Sequence, residues 1–209
     1  RRQRQMCIRD RNTGKYDNAL FDIRQGKLRI FSTQLTGIPA NDWNMQFQSA
    51  AYTSCLFRVG KNGALHLTNI SGATPYRGMA YGQPMIISEG DLQIDGGHYC
   101  NMIDTFSPDK ETRGAAILID GGTAVINGGK YEGTACGVAV RNDAQLTVNN
   151  GYIGSWDTGL YIGGSANAVI NGGEFDRYEI NSSSSKSQNC AVMMESSGDL
   201  TIHLSLIHI

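Results

Sequence analysis

The chain has 209 residues, a formal net charge of −1, 26 glycines and only 4 prolines. This length allows one domain with a buried core, and the small net charge argues against a nucleic-acid partner. No run of roughly 18 apolar residues occurs, so the sequence predicts no membrane span.

The two ends of the chain differ from the sequence between them. Residues 1–11 read RRQRQMCIRDR and residues 204–209 read LSLIHI. Both resemble translated sequencing-library adapters, so we expect residues 12–203 to be the native segment, open at both ends. Without these ends, Lys and Arg number 13 against 18 for Asp and Glu, which gives a net charge of −5. The apparent basic arm therefore gives no indication of nucleic-acid binding.

Internal repetition is the main signal in the rest of the sequence. Each repeat contains an apolar residue, a more variable one and a second apolar residue, and the shortest step between repeats is 22 residues. Alternation with period two indicates a strand with one buried face. The pairs are Leu28/Ile30, Leu65/Leu67, Leu92/Ile94, Ala124/Ile126, Leu146/Val148, Ala168/Ile170 and Leu200/Ile202.

Two further strands are predicted in each repeat, one before and one after this pair. The earlier pairs are Phe21/Ile23, Phe57/Val59, Met85/Ile87, Ile117/Ile119, Val138/Val140, Leu160/Ile162 and Val192/Met194. The later position is Tyr99, Tyr131, Ile153 or Phe175. One repeat cannot bury its apolar side chains alone, so the repeats should stack. The sequence predicts an all-β fold, a parallel β-helix solenoid of about seven coils with 22 or more residues each.

Turn residues and cysteines fit the same repeat. Asp95, Asn127, Asn149 and Asn171 follow the middle strand and precede glycine-containing turns, which predicts a structural ladder of stacked side chains. Cys55, Cys136 and Cys190 share one position with Ala19 and Ala115, which predicts a slot for a small buried residue. No CxxC pair or other metal-ligand spacing occurs, so the sequence predicts no metal site and no cofactor.

Surplus residues fall at one place in the repeat. The insertions are residues 32–54, 73–83, 100–113 and 176–189, and stacking predicts that all of them lie along one edge. Long loops on one edge of a solenoid often bind ligands. Aromatic and charged side chains there suit sugar rings and hydroxyls. The candidate binding residues are Trp43, Tyr76, Trp156, Asp157, Arg177 and Tyr178.

The runs AVINGGKYEG and AVINGGEFD resemble the degenerate coils of large bacterial surface and secreted repeat proteins. The 22-residue step is similar to that of right-handed, pectate-lyase-like β-helices. This resemblance implies a right-handed solenoid acting as a structural or adhesive module at the cell surface or outside the cell. It also implies contact with polysaccharide or a host-surface glycan, and it leaves the oligomeric state open.

Two alternatives remain. The pectate-lyase-like resemblance also implies a polysaccharide lyase or glycoside hydrolase, although the sequence lacks the NxD, DD, GHG and RIK motifs of polygalacturonases. If the chain is an enzyme, the candidate catalytic residues are Asp109, Glu111, Arg113 and Asp176, because such enzymes need paired carboxylates or a base beside a carboxylate. Phage tail spikes and fibres share the solenoid and are the second alternative.

Overall fold

The structure is a computed structural model, and it describes residues 19–31, 46–48, 55–73, 84–101, 114–134, 136–177 and 190–203. All regular secondary structure in these ranges is β-strand. The strands are β1 (Ala19–Phe31), β2 (Gln46–Gln48), β3 (Cys55–Thr68), β4 (Ser71–Ala73), β5 (Ile86–Ser88), β6 (Asp91–Asn101), β7 (Ile117–Ile119), β8 (Thr123–Gly133), β9 (Cys136–Val140), β10 (Gln145–Val148), β11 (Tyr152–Ser155), β12 (Thr158–Ile162), β13 (Asn167–Ile170), β14 (Glu174–Arg177), β15 (Cys190–Met194) and β16 (Leu200–Ile202). Among the described residues, no helix has the length and apolar character needed to cross a membrane.

All strand pairs in the described part of the chain are parallel, and together they form one sheet. The strands wrap about 317° round a single axis, which gives a solenoid-like arrangement. The predicted all-β, parallel character is confirmed. Two adjacent parallel strands need a connection that brings the chain back to the end where the first strand began. Here the remaining residues of each repeat form that connection.

Each repeat contributes up to three strand segments, which form three faces of the sheet. The first face contains β5, β7, β9, β12 and β15 with the starts of β1 and β3. The second face contains β10, β13 and β16 with the ends of β1 and β3 and the starts of β6 and β8. The third face contains β2, β4, β11 and β14 with the ends of β6 and β8.

The predicted ladder of the second face is confirmed at every position. Backbone pairing aligns Ile30, Leu67, Ile94, Ile126, Val148, Ile170 and Ile202 in that order. The five central members are at most 1% exposed and belong to one continuous apolar core. Because neighbouring strands lie about 4.8 Å apart, each of these side chains packs on its equivalents in the repeats before and after it.

One predicted pair of the first face is wrong. Ile86 and Ser88 align with Phe57 and Val59, so they point toward the axis, whereas Ile87 aligns with Arg58. The turn that follows contains only Glu89 and Gly90, which shifts the alternation by one residue. The Ser88 hydroxyl is buried and donates a hydrogen bond to the Gly90 carbonyl, at 3.3 Å.

The turn ladder after the second face is confirmed as a chain of side-chain hydrogen bonds. Asn127 donates to Asp95 at 2.6 Å, Asn149 donates to Asn127 at 2.7 Å, and Asn171 donates to Asn149 at 2.7 Å. Left-handed backbone belongs to glycines of these turns and not to Asp95 or the asparagines, Gly129 being one example with φ of 107°. The asparagines therefore contribute their amide groups, and glycine contributes the backbone geometry.

The cysteine slot of the first face is confirmed as a buried position at Cys55 and Cys136, whereas Cys190 is half-buried. Backbone pairing aligns Ala19 with Cys55, and Thr158 lies between Cys136 and Cys190. Cys55 and Cys136 are at most 2% exposed, so each fills a small buried position.

The third face buries a pair of stacked tyrosines. The rings of Tyr99 and Tyr131 lie 5.4 Å apart and are nearly parallel, with an interplanar angle of 3°. The Tyr131 hydroxyl donates to the Gly128 carbonyl at 2.7 Å. The Tyr99 hydroxyl is fully buried and has no hydrogen-bond partner among the described residues. The two stacked tyrosines therefore differ in that the Tyr131 hydroxyl has a hydrogen-bond partner among the described residues and the Tyr99 hydroxyl has none.

We expect Tyr131→Phe to lower the free energy of unfolding by about 1 kcal/mol, because it removes a satisfied hydrogen bond. Tyr99→Phe should be neutral or stabilising by up to about 1 kcal/mol, because it removes an unsatisfied buried hydroxyl. Denaturant unfolding of both variants measures the difference, and each serves as the control for the other. Equal destabilisation by the two substitutions would contradict this account.

We expect the stability of the protein to depend on the ionisation of Asp95. Burial acts to raise the pKa of this carboxyl, but hydrogen bonds from Asn127, His66 and Gln93 outweigh it and lower the pKa below its ordinary value of 3.8. A lowered pKa contributes stability above the unfolded-state value, and this contribution is lost as the pH falls through the folded-state value. The protein should therefore lose stability relative to Asp95→Asn between about pH 5 and about pH 2.

Denaturant unfolding of the protein and of Asp95→Asn at about pH 7 and about pH 3 tests this dependence. Asparagine keeps an oxygen that accepts from Asn127, so the substitution removes the charge and preserves the ladder. The same pH dependence in both proteins would show that Asp95 does not contribute.

Candidate functional site

The edge between the third face and the following first-face strand, here named the looped edge, collects most of the surplus residues. Pairing aligns the strand ends Asn101, Gly133, Ser155 and Arg177. Segments 74–83, 102–113 and 178–189 connect described strand ends of this edge. The described strand ends therefore agree with the predicted position of these three insertions.

The first insertion differs from the prediction. Strand β2 pairs with β4, so residues 46–48 belong to the third face. Residues 32–45 consequently connect the second face to the third face, and only residues 49–54 lead to the looped edge. The expectation that all of 32–54 lies on one edge is wrong for residues 46–48, and the segment that contains Trp43 lies outside the described residues.

Two of the predicted binding residues lie in a short connection of the looped edge. Trp156 and Asp157 join β11 to β12, and both are half-buried. The Trp156 amide donates to the Thr134 carbonyl at 3.1 Å, and the Asp157 carbonyl accepts from the Cys190 amide at 3.3 Å. Arg177 pairs with Ser155, the residue that precedes Trp156. Trp156, Asp157 and Arg177 therefore occupy neighbouring backbone positions.

The remaining predicted site residues lie outside the described residues, except for Asp176. Those outside are Trp43, Tyr76, Asp109, Glu111, Arg113 and Tyr178. Asp176 lies on β14, where its carboxylate accepts hydrogen bonds from the Tyr152 hydroxyl at 3.0 Å and from the Arg177 amide at 2.7 Å. Both hydrogen bonds of the Asp176 carboxylate thus come from the third face.

A row of ionisable side chains, here named the polar row, follows the outward side of the third face. It alternates with the buried residues Tyr99, Tyr131, Ile153 and Phe175. The alternation of a strand places successive residues on opposite sides, so these neighbours point away from the axis. The members of the row are His98, Cys100, Lys130, Glu132, Tyr152, Glu174 and Asp176.

Glu132 lies at the centre of the polar row and has two charged or polar neighbours. His98 Nε2 is 2.5 Å from Glu132 Oε2, and Lys130 Nζ is 2.9 Å from Glu132 Oε1. Glu132 is 8% exposed, so its carboxylate is removed from water and needs these partners. The Lys130 ammonium also lies 5.2 Å from the centre of the Tyr152 ring, within range of a cation–π interaction.

Cys100 aligns with Glu132 on the neighbouring strand. Burial raises the pKa of the Cys100 thiol to about 11, the negative charge of Glu132 adds to this effect, and Lys130 opposes it. Cys100 is therefore a neutral thiol at neutral pH. The donor atoms of His98, Cys100 and Glu132 all lie within 4.8 Å of one another.

Sequence reasoning missed this cluster because Glu132 lies 32 residues after Cys100 and 34 residues after His98 along the chain. The available signal was the alternation around the inward tyrosines. His98 and Cys100 flank Tyr99, and Lys130 and Glu132 flank Tyr131. Once the two tyrosines are aligned, the four flanking residues must share one outward patch.

Comparison of the chain with protein-family models, with curated proteins and with solved structures finds no match.

We expect Gly154→Ala to disturb the polar row through Tyr152. An added Cβ at Gly154 would lie 2.8 Å from the Tyr152 hydroxyl oxygen and 2.9 Å from its Cε1. The ring would have to leave Asp176, at a cost of about 1 kcal/mol in the free energy of unfolding. In a Tyr152→Ala background the same substitution should be neutral or slightly stabilising, because the steric conflict is gone.

Denaturant unfolding of the two single variants and the double variant measures this coupling. Additive losses of stability would show that Tyr152 and Gly154 do not interact as described.

Proposed function

We propose that the chain is a non-catalytic structural or adhesive module of a secreted or cell-surface protein. In this proposal it is a right-handed parallel β-helix of about seven coils, similar to pectate-lyase-like solenoids. Its looped edge contacts polysaccharide or a surface glycan. The observation that carries the proposal is that Trp156, Asp157 and Arg177 occupy neighbouring backbone positions on this edge.

The regular alignment of the core supports the solenoid part of the proposal. Seven ladder positions from Ile30 to Ile202 follow one another through parallel pairing without a break. Such a column is stable along its length because each repeat covers the apolar side of the next. A rigid column with variable connections on one edge suits a structural or adhesive role.

The chemistry of the looped edge supports the glycan part of the proposal. An indole presents a flat apolar surface to the C–H face of a sugar ring. A carboxylate accepts from sugar hydroxyls, and a guanidinium donates to hydroxyls or to the carboxylates of acidic sugars. Trp156, Asp157 and Arg177 are half-buried, so their side chains are partly fixed before a ligand arrives.

The contacts of the polar row support a non-catalytic reading. Glu132 is bound by His98 and Lys130, and Asp176 is bound by Tyr152. These groups hold neighbouring repeats together, which is a structural task. Hydrolysis of a glycosidic bond by inversion would need two carboxyl groups about 6.5–9.5 Å apart with room for a water between them.

We expect the full chain to bind at least one polysaccharide on a glycan array and to release no product from it. Trp156→Ala should weaken binding by about tenfold or more, since a stacked aromatic is worth at least about 1.4 kcal/mol. Gln145→Ala, an exposed residue of the second face, serves as the matched control and should bind normally. Reducing-sugar and unsaturated-product assays on the same polysaccharides measure catalysis.

Either of two results would contradict this proposal. Product release that Asp176→Asn abolishes would assign the chain to the polysaccharide-degrading enzymes. Glycan binding that is unchanged in Trp156→Ala and Arg177→Ala would move the contact away from this part of the looped edge.

A further inference from the structure

We propose that His98, Cys100 and Glu132 form a binding site for a zinc-like divalent cation on the outward side of the third face. Their imidazole, thiol and carboxylate donor atoms lie within 4.8 Å of one another. The inference is independent of the proposed glycan contact, because none of the three residues lies in a connection of the looped edge.

Two adjacent strands bring the three ligands together. His98 and Cys100 are alternate residues of β6, so they lie on the same side of the strand. Glu132 on β8 aligns with Cys100, and Lys130 aligns with His98. Strands provide a rigid support, and rigid ligands lose little conformational freedom when a cation binds.

The spacing of the donor atoms is close to that of a metal site. Zinc lies about 2.0–2.3 Å from nitrogen, oxygen and sulfur ligands, so the ligand atoms of a tetrahedral site are about 3.3–3.8 Å apart. His98 Nε2 and Glu132 Oε2 are 2.5 Å apart, and all three donors lie within 4.8 Å. A cation that enters between them moves each donor by about 1 Å or less.

The donor set selects the class of cation. Calcium and magnesium prefer oxygen ligands only, whereas zinc and cobalt accept nitrogen, sulfur and oxygen together. One imidazole, one cysteine sulfur and one carboxylate therefore favour a zinc-like ion, and the Cys100 thiol releases its proton to solvent when the cation binds. Three protein ligands leave a fourth position for a water molecule.

Lys130 fits this site as a partner of the carboxylate. Its ammonium bonds to Glu132 Oε1, whereas the other carboxylate oxygen, Oε2, contacts His98 Nε2. Partners of this kind orient metal ligands, and their loss commonly weakens metal binding.

We expect the full chain, kept reduced, to bind one equivalent of Co²⁺ with the near-ultraviolet charge-transfer band of a cobalt–thiolate bond. Zn²⁺ should displace the cobalt and should raise the thermal unfolding midpoint relative to the chelated protein. Cys100→Ser should abolish the band, and His98→Gln should weaken binding by about 100-fold or more.

Two control variants separate this site from adventitious binding. Cys190→Ser removes a thiol of the first face, and His203→Gln removes an exposed imidazole at the end of the described residues. Both should bind cobalt with unchanged affinity. Circular dichroism of each variant verifies folding, and His98→Gln carries the test if Cys100→Ser does not fold.

The proposal is overturned if the full chain gives no cobalt–thiolate band at saturating Co²⁺. It is also overturned if Cys100→Ser and His98→Gln bind as tightly as the unaltered chain. In that case the three residues form a metal-free hydrogen-bond cluster that joins β6 to β8.

Discussion

In-register parallel pairing is the constraint on which the rest of this structure depends. It places each ladder residue, such as Ile126, against its equivalents Ile94 and Val148 in the adjacent repeats. The apolar core thereby becomes a continuous column, and the backbone hydrogen bonds run between repeats. The same register also fixes which outward side chains meet, so contacts such as His98 with Glu132 follow from the stacking of Tyr99 on Tyr131.

Sequence predicted the core well because its pattern has two periods that agree. Alternation within a strand and recurrence between repeats together identified the ladder from Ile30 to Ile202 and the hydrogen-bonded asparagines. The predicted pair Met85/Ile87 was wrong because alternation within that strand did not distinguish the inward from the outward residues. In the run Met85–Ile86–Ile87–Ser88, three apolar residues allow either phase, and the short turn at Glu89 and Gly90 decided for Ser88 inward.

The outward contacts were not predictable by the same reasoning. A metal-ligand motif can be recognised from its spacing in the sequence when the ligands come from one loop or one strand. His98 and Glu132 lie on different strands and meet only because β6 pairs with β8 of the next repeat. Strand β2 shows the same limit, because only its pairing with β4 reveals that residues 46–48 belong to the third face. Of the predicted site, the structure brings Trp156, Asp157 and Arg177 to one place and gives Asp176 partners on the third face.

The three faces carry different chemistry on their outward sides, although one core supports them all. The first face carries an apolar cluster around Leu118 and Tyr161, both at most 6% exposed. The second face is largely neutral toward its C-terminal end, as at Thr147, which pairs with Val125 and Val169. The third face carries the polar row, with Lys130 and Glu132 on β8 and Asp176 on β14. Because the inward residues form the continuous core, outward positions can differ in chemistry from face to face, and the third face is where His98, Cys100 and Glu132 meet.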